Sequence, residues 1–270
     1  MPFIEINNLN YHYELAGSGP TLLLLHGFTG SLDNWLPHVE ALSEHYRVLT
    51  VDLPGHGQTD APYDPSRYCM ERAAADLIAL IERLNLLPVH LLGYSMGARL
   101  ALFAALNYPQ YVHSLILESG SPGLATDDER QARVHSDEAL AAWIERDGIA
   151  AFVDYWENIP LFASQQSLPA EMRHRLREQR LRNRPQGLAN SLRGMGTGVQ
   201  PSLWDRLDEL KMPVLLLAGA LDTKFVGIAQ QMYDRMPSVS MVIVPDVGHT
   251  IHLEAPNVFQ THVKDFLSHQ

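Results

Sequence analysis

The hydrophobic and polar positions of the chain alternate between short apolar runs and longer stretches with helical periodicity. Short apolar runs bounded by turn residues predict buried strands. The predicted strands are Ile4–Asn7, Tyr11–Leu15, Thr21–His26, Arg47–Asp52, Val89–Gly93, Ser114–Glu118, Val214–Ala218 and Ser240–Val244. Predicted helices lie near residues 33–44, 69–86, 96–107, 226–236 and 256–268. This order predicts an α/β fold with a mostly parallel sheet and helices on both of its faces.

The alternation stops between about residues 122 and 203. This stretch is helical and polar in pattern and contains no strand-like run. We interpret it as a helical cap inserted into the sheet domain. The predicted division is a core domain of residues 1–121 and 204–270, with a cap of residues 122–203.

The composition of the chain argues against two classes of binding partner. The chain has 270 residues, 46% of them hydrophobic, and a net charge of -11. An acidic chain repels phosphate backbones and anionic membranes, which argues against nucleic acid or a membrane surface as a partner. The first residues lack the pattern of a signal peptide, and the longest apolar runs are too short to span a bilayer, so we expect a cytoplasmic protein.

The residue types also argue against a metal site. Cys69 is the only cysteine, so neither an intrachain disulfide nor a cysteine-rich zinc site can form. No cluster of histidine and acidic residues has the spacing of metal ligands, and no glycine-rich phosphate loop follows a strand. We therefore expect no metal.

Residues 93–97 carry the first candidate for chemistry. They read Gly-Tyr-Ser-Met-Gly, the G-x-S-x-G pattern, and they lie between a predicted strand and a predicted helix. In that context the serine occupies a sharp strand-to-helix turn, where its hydroxyl is exposed at the edge of the sheet. The flanking glycines allow neighbouring backbone to approach closely. Ser95 is therefore the candidate reactive residue.

A serine hydroxyl needs a base to react at neutral pH. In enzymes with this turn, the acid and then the histidine follow the serine along the chain. Asp222 and His249 each lie in a loop just beyond a predicted strand, where parallel sheets place their chemistry. Two alternatives stay open: Glu118, at the end of another strand, as the acid, and His252 as the base. The Gly-His pair after the strand favours His249.

Two backbone amides are candidates for holding negative charge. His26-Gly27-Phe28 follows the apolar strand at residues 21–25, and Met96 follows the serine. The N–H groups of Phe28 and Met96 would form an oxyanion hole, which stabilises a transition state with developing negative charge. We expect His26 to be a structural histidine, and His56 to belong to a turn that shapes the pocket.

Arginines supply the evidence for an anionic ligand. Residues 171–193 contain seven arginines and two acids within an otherwise acidic chain, and arginine binds carboxylates in bidentate fashion. For most of these arginines, however, a solvated helix face is the interpretation that we favour. Arg99 lies four residues after Ser95 on an otherwise apolar helix, where a buried guanidinium needs an anion. That anion would be a substrate carboxylate or a structural partner such as Glu118.

These motifs together resemble a known superfamily. The order HGF, DLPGHG, GYSMG and finally GH resembles α/β hydrolases over nearly the whole chain. The stretches GYSMGAR, ESGSPGL, DYWENIPLFASQ and LRGMGTGVQPSLW further resemble the 2-succinyl-6-hydroxy-2,4-cyclohexadiene-1-carboxylate synthases of menaquinone biosynthesis. Part of this resemblance lies in the predicted cap.

The resemblance implies a lyase and a small polycarboxylate substrate. Such an enzyme eliminates pyruvate from 2-succinyl-5-enolpyruvyl-6-hydroxy-3-cyclohexene-1-carboxylate without a cofactor. Ser95, made basic by His249, would take a proton from the ring carbon next to the succinyl ketone. By the same resemblance, the substrate-binding residues are Arg99, Arg133, Arg180, Tyr155 and Trp156, with Arg182 as an alternative to Arg180.

Two other classes of function are compatible with the same motifs. A serine hydrolase of small esters or of carbon–carbon bonds would use the same three side chains. A small-molecule receptor on a hydrolase scaffold would retain Ser95 and His249 without turnover. Fold alone does not separate these functions. The arginines argue against neutral esters.

Overall fold

A mixed sheet of eight strands organises the molecule, and the computed structural model describes residues 2–270 of the chain. The strands are β1 (Phe3–Ile6), β2 (Leu9–Ala16), β3 (Thr21–Leu25), β4 (Arg47–Val51), β5 (Val89–Tyr94), β6 (Val112–Glu118), β7 (Val214–Gly219) and β8 (Val239–Val244). Their order in the sheet is β1-β2-β4-β3-β5-β6-β7-β8. The pairs β1–β2 and β2–β4 are antiparallel, and the remaining pairs are parallel.

Nine α-helices and five short 3-10 helices accompany the sheet within residues 2–270. The α-helices are α1 (Leu36–Ser43), α2 (Met70–Arg83), α3 (Met96–Asn107), α4 (Asp127–Trp156), α5 (Ala170–Leu181), α6 (Pro185–Met195), α7 (Thr223–Tyr233), α8 (Ile251–Glu254) and α9 (Pro256–Leu267). The 3-10 helices are Leu32–Asn34, Pro65–Tyr68, Pro109–Tyr111, Pro160–Ser167 and Trp204–Glu209. The predicted α/β class and the predicted strands are confirmed. Helix α7 begins three residues before its predicted start, and the short α8 was not predicted.

Side chains of the central strands fill a core on each face of the sheet. All five residues of β3 are buried, and they alternate between the two faces. Leu23 and Leu25 belong to the apolar cluster that contains the buried sides of α2 and α3. Leu22 and Leu24 belong to the cluster of α9. The continuous apolar run of β3 is therefore the signature of a strand covered on both faces.

The segment between β6 and β7 contains α4, α5 and α6 and no strand. These helices have an apolar cluster of their own, formed by Ala141, Ile144, Phe152, Val153, Leu188, Ala189 and Leu192. Helix α4 is interrupted at Gly148, whose φ of 82° is a conformation that favours glycine. Phe28, from the core side, packs against this cluster. A separate cluster is what an inserted cap would need, and the boundaries at residues 122 and 203 stay a prediction.

Within residues 2–270, no helix combines the length and the hydropathy needed to cross a membrane.

Candidate active site

Ser95 occupies a strained turn between β5 and α3. Its φ and ψ are 51° and -107°, outside the regions that a serine ordinarily adopts. A Cβ at Gly93 would lie 2.3 Å from the carbonyl oxygen of Gly97, and a Cβ at Gly97 would lie 2.3 Å from that of Leu25. The two glycines of the motif are therefore required by close backbone packing. They let α3 start directly beside the central strands, with Ser95 at its first turn.

Ser95, His249 and Asp222 form a hydrogen-bonded series. The Nε2 atom of His249 is 3.0 Å from Ser95 Oγ, and its Nδ1 atom is 2.6 Å from Asp222 Oδ2. Because an ionised carboxylate only accepts hydrogen bonds, Nδ1 carries a proton and Nε2 is free to accept the serine proton. His249 is 1% exposed. The arrangement is suited to activating the hydroxyl as a base or a nucleophile.

The local sequence explains how Asp222 and His249 reach Ser95. Both residues follow strands that end at the same edge of the sheet, β7 and β8. Asp222 also caps α7, since its second oxygen accepts from the N–H of Phe225 at 3.3 Å. This cap accounts for the early start of that helix.

Two unpaired amides lie close to Ser95. Neither the N–H of Phe28 nor that of Met96 donates a hydrogen bond within residues 2–270. Met96 is the first residue of α3, where amides are free and the helix dipole is positive. The Cβ position at Gly27 is 3.4 Å from Ser95 Cβ, so the turn that carries Phe28 adjoins the serine. The two amides are thus available to a developing oxyanion.

The alternative acid and base pair with each other instead of with Ser95. The ring of His252 contacts the carboxylate of Glu118 at 2.9 Å, and both side chains are buried. Glu118 is therefore not the acid that pairs with the ring of His249. It does not contact Arg99 either, so the alternative of Glu118 as the structural partner of that arginine is excluded.

A cavity of about 640 Å³ opens above Ser95 and His249. The segment between β6 and β7 and the rest of the chain both contribute to its wall. The aromatic lining includes Phe28, Trp156, Phe162 and Phe225, and the cationic lining consists of Arg99, Arg133 and Lys224. The chemistry of the wall suits a ligand with an apolar body and carboxylates.

Arg99 is half-buried in this wall and has no acidic partner within residues 2–270. Its Nη1 atom donates to Met195 O at 2.8 Å and to Gln200 Oε1 at 2.7 Å, both neutral oxygens. Burial, and secondarily the like charge of Arg133, lowers the pKa of Arg99 to about 10. The guanidinium therefore carries a positive charge that no neighbouring carboxylate directly neutralises. This is the condition that favours binding of an anion.

Only one nitrogen of the Arg133 guanidinium, Nε, has a hydrogen-bond acceptor within residues 2–270. Its Nε atom donates to Asp137 Oδ1 at 2.7 Å, one turn further along α4, while 41% of the side chain remains exposed. Burial raises the pKa of Asp137, against the lowering effect of Arg133. The terminal nitrogens of Arg133 have no other acceptor among residues 2–270, so they are free for a ligand.

Arg180 lies outside the cavity, contrary to its expected contact with a ligand there. It is 5% exposed, its Nη2 atom donates to Gln165 at 3.1 Å, and its guanidinium lies 5.2 Å from the centre of the Phe162 ring. Phe162 is thus the residue that faces the cavity. Arg182 pairs with Asp33 at 2.6 Å on the surface and does not take the place of Arg180.

The basic stretch 171–193 is not an anion site as a whole. Its charges are largely paired: Arg175 with Glu171, Arg177 with Asp154 and Glu157, and Arg193 with Glu138 and Glu145. The excess of arginine over acid within residues 171–193 is misleading, because most of the acids that pair with these arginines lie outside the stretch, in α4. The solvated helix face was the better interpretation for these arginines.

The two expected aromatic residues, Tyr155 and Trp156, point in different directions from the end of α4. Trp156 lines the cavity, with its ring stacked on Phe152 at 5.4 Å. Tyr155 is 52% exposed and packs its edge on Trp143, away from the cavity. Adjacent residues of an α-helix point about 100° apart, so only one of the two can face the ligand.

Lys224 was missed by the sequence analysis. It lies two residues after Asp222, lines the cavity, and has no acidic partner within residues 2–270. The signal was its place just after the acid, in what the structure shows to be the first turn of α7. Side-chain direction there depends on the cap formed by Asp222, which the sequence pattern did not reveal.

The two other singled-out histidines are buried and hydrogen-bonded locally. His26 donates to Gly27 O through Nδ1 and accepts from the N–H of Leu53 through Nε2. The Nδ1 atom of His56 bonds to Pro54 O, and burial lowers the pKa of His56 to about 3. Both therefore have structural positions, and neither lines the cavity.

Comparison with known proteins places the chain in a family. A model of the α/β hydrolase fold matches residues 20–256. The structure of MenH from S. aureus superposes with a TM-score of 0.92 at 38% identity, over 96% of this chain and 98% of that one. A Bacillus subtilis protein provisionally named 2-succinyl-6-hydroxy-2,4-cyclohexadiene-1-carboxylate synthase is 49% identical, over 95% of this chain and 94% of its own length. The synthase of that name from Serratia proteamaculans is 32% identical, over 92% and 93%. The chain therefore belongs to the α/β-hydrolase-fold family, and within it to the family of 2-succinyl-6-hydroxy-2,4-cyclohexadiene-1-carboxylate synthases.

Proposed function

We propose that this enzyme is a lyase of menaquinone biosynthesis. It eliminates pyruvate from 2-succinyl-5-enolpyruvyl-6-hydroxy-3-cyclohexene-1-carboxylate and forms 2-succinyl-6-hydroxy-2,4-cyclohexadiene-1-carboxylate. The observation that carries the proposal is one cavity that combines the Ser95–His249–Asp222 series with Arg99 and Lys224, which have no acidic partner within residues 2–270. The names of the relatives state this product.

The first chemical step is removal of a proton. His249 accepts the hydroxyl proton of Ser95 through Nε2, and the oxygen of Ser95 takes the proton from the ring carbon that bears the succinyl group. Asp222 keeps the imidazole oriented and stabilises its charged form. The negative charge develops on the ketone oxygen, toward the amides of Phe28 and Met96.

The second step expels the leaving group. The electron pair moves from the enolate through the ring double bond and breaks the bond between the ring and the enolpyruvyl oxygen. Enolpyruvate leaves and becomes pyruvate when its terminal carbon is protonated. One proton and one leaving group depart from the ring, so the elimination is redox-neutral.

The cations of the wall hold the carboxylates. Arg99, one turn along α3 from Ser95, keeps a carboxylate near the reacting carbon, and Arg133 and Lys224 bind the others. Trp156 forms an apolar surface beside the ring. Arg180 contributes only if Phe162 moves aside. Core and cap, divided at residues 122 and 203, thus supply different functions: the core supplies the reacting groups, and the cap supplies Arg133 and Trp156.

The test is release of pyruvate by the purified protein from this substrate, followed with lactate dehydrogenase. Ser95→Ala and His249→Ala should each lower kcat by about 10³-fold or more, as removal of such side chains does in related sites. Normal turnover by Ser95→Ala would contradict the mechanism. Hydrolysis of simple esters with a covalent adduct on Ser95, and no release of pyruvate, would favour the serine hydrolase instead.

A further inference from the structure

Glu118 and His252 form a second pair of acid and histidine beneath the candidate active site. Glu118 is the last residue of β6, and His252 lies in α8, three residues after His249. Both are at most 1% exposed. The proposed mechanism uses neither of them. Their burial requires another explanation, because a carboxylate without solvent is costly unless it is well hydrogen-bonded.

All three hydrogen-bond contacts of this carboxylate within residues 2–270 come from residue 252, including one from the ring Nδ1 to Glu118 Oε2 at 2.9 Å. The backbone N–H of His252 donates to Glu118 Oε1 at 3.0 Å, and the ring Nδ1 lies 2.9 Å from the same oxygen. The imidazole sits between the rings of Trp35 and Tyr94, each 4.7 Å away, and its Nε2 atom has no partner within residues 2–270. An apolar pair would suit such surroundings better. The specific consequence of the polar pair is to fix the position of residue 252.

The end of β6 also holds Ser95 and His249 directly. The backbone oxygen of Glu118 accepts from the N–H of Ser95 at 2.9 Å. The hydroxyl of the next residue, Ser119, donates to the backbone oxygen of His249 at 2.8 Å. The end of β6 therefore holds the turn that carries Ser95 and also holds His249 and His252 in the segment after β8.

We infer that Glu118 is a positioning residue for His249. By holding His252, it fixes the loop so that His249 Nε2 stays 3.0 Å from Ser95 Oγ. Glu118 does not line the cavity, so it acts through this loop and not on a ligand. The inference rests on the part of the proposed function that makes Ser95 and His249 the reacting pair.

The test measures the reactivity of Ser95 separately from turnover. A fluorophosphonate forms a bond between phosphorus and Ser95 Oγ as fluoride leaves and the hydroxyl proton passes to His249. We expect Glu118→Ala to lower the rate of this labelling and kcat for pyruvate release at least tenfold, with KM within twofold of the wild type. Glu118→Gln should recover most of both rates, because its amide oxygen can still accept from the N–H of His252.

Asp76→Ala is the matched control for loss of a buried carboxylate. Asp76 is 1% exposed and accepts hydrogen bonds from Tyr11 and Asn7 at 2.7 Å and from Arg67 at 2.9 Å, and none of these partners lines the cavity. It should lower stability and leave the labelling rate unchanged, measured at a temperature where the variant is folded.

Labelling of folded Glu118→Ala within twofold of the wild-type rate would overturn the inference. If that variant does not fold, His252→Phe decides, because it removes the ring hydrogen bond to Glu118 and keeps an aromatic ring beside Trp35 and Tyr94. His252→Phe should label at least threefold more slowly, and a wild-type rate would reject the positioning role. A wild-type protein that is labelled on Ser95 but releases no pyruvate would reject the proposed substrate, and the labelling rates would still test Glu118.

Discussion

Replacing Arg99 by methionine isolates the role of the cavity charge. Methionine keeps an unbranched apolar stem on α3 and removes the guanidinium. In the wild type, the Nη1 atom of Arg99 is occupied by Met195 O and Gln200 Oε1, while its other nitrogens have no acceptor within residues 2–270. Those nitrogens are the donors that we assign to a substrate carboxylate.

The size of the effect follows from the bonds that would be lost. A hydrogen bond involving a charged group contributes about 1.5–3 kcal/mol, and each 1.4 kcal/mol corresponds to about a tenfold change. We therefore expect Arg99→Met to lower kcat/KM for pyruvate release roughly 10- to 150-fold. Gln200, which is 1% exposed, also loses its donor, so the free energy of unfolding should fall by about 1–3 kcal/mol.

The assay is the steady-state rate of pyruvate release, measured well below the unfolding temperature of the variant. Arg182→Met is the matched control, because Arg182 also belongs to the arginine-rich part of the cap region but pairs with Asp33 on the surface. Its kcat/KM should stay within twofold of the wild type. Equal effects of the two substitutions, or no effect of Arg99→Met, would refute the assignment of Arg99.

Two further outcomes follow from backbone packing and burial. Gly97→Ala should lower the free energy of unfolding in urea by about 1–3 kcal/mol and slow the labelling of Ser95, because the new Cβ would lie 2.3 Å from Leu25 O. The control is Gly227→Ala, which should be neutral or stabilising because its new Cβ would have nothing within 4 Å. Equal losses of stability in the two variants would contradict this argument. Burial lowers the pKa of His56 to about 3, so below pH 6.5 the unfolded chain binds a proton that the folded protein does not. Stability should therefore fall by up to about 1.4 kcal/mol per pH unit from this group as the pH drops from 6.5 toward 3. His56→Asn should remove that part of the slope in urea titrations at pH 7, 6 and 5, and an unchanged slope would show that His56 is not the cause.

The strands and the serine turn were predictable because local sequence determines them. An entirely apolar run such as Leu22–Leu25 is typical of a strand covered on both faces. The glycines at 93 and 97 report close backbone packing at the turn. Asp222 and His249 were identifiable because parallel strands end at one edge of the sheet, which brings the loops after β7 and β8 together.

The ligand-facing residues of the cap were not predictable in the same way. Arg133 and Trp156 face the cavity, while Arg180 lies behind Phe162 and Tyr155 faces solvent. The hydrophobic pattern of α4 and α5 is weak, so it does not report which side of each helix faces the core. That choice depends on packing between helices that are distant in sequence.

Sequence patterns also did not predict which buried polar side chains pair with each other. Glu118 was considered as an acid for His249 and as a partner for Arg99, and it pairs with His252 instead, 134 residues away. A carboxylate at a strand end can accept hydrogen bonds from several neighbouring loops. Only the three-dimensional arrangement of those loops determines which of them donates to it.

The most direct test of the proposed chemistry is the product balance of one reaction. Purified enzyme is mixed with 2-succinyl-5-enolpyruvyl-6-hydroxy-3-cyclohexene-1-carboxylate, pyruvate and the cyclohexadiene are measured together, and the intact mass of the protein is recorded during turnover. Elimination predicts the two products in equal amounts and an unchanged protein mass. An acyl adduct on Ser95, or substrate consumption without pyruvate, would contradict it.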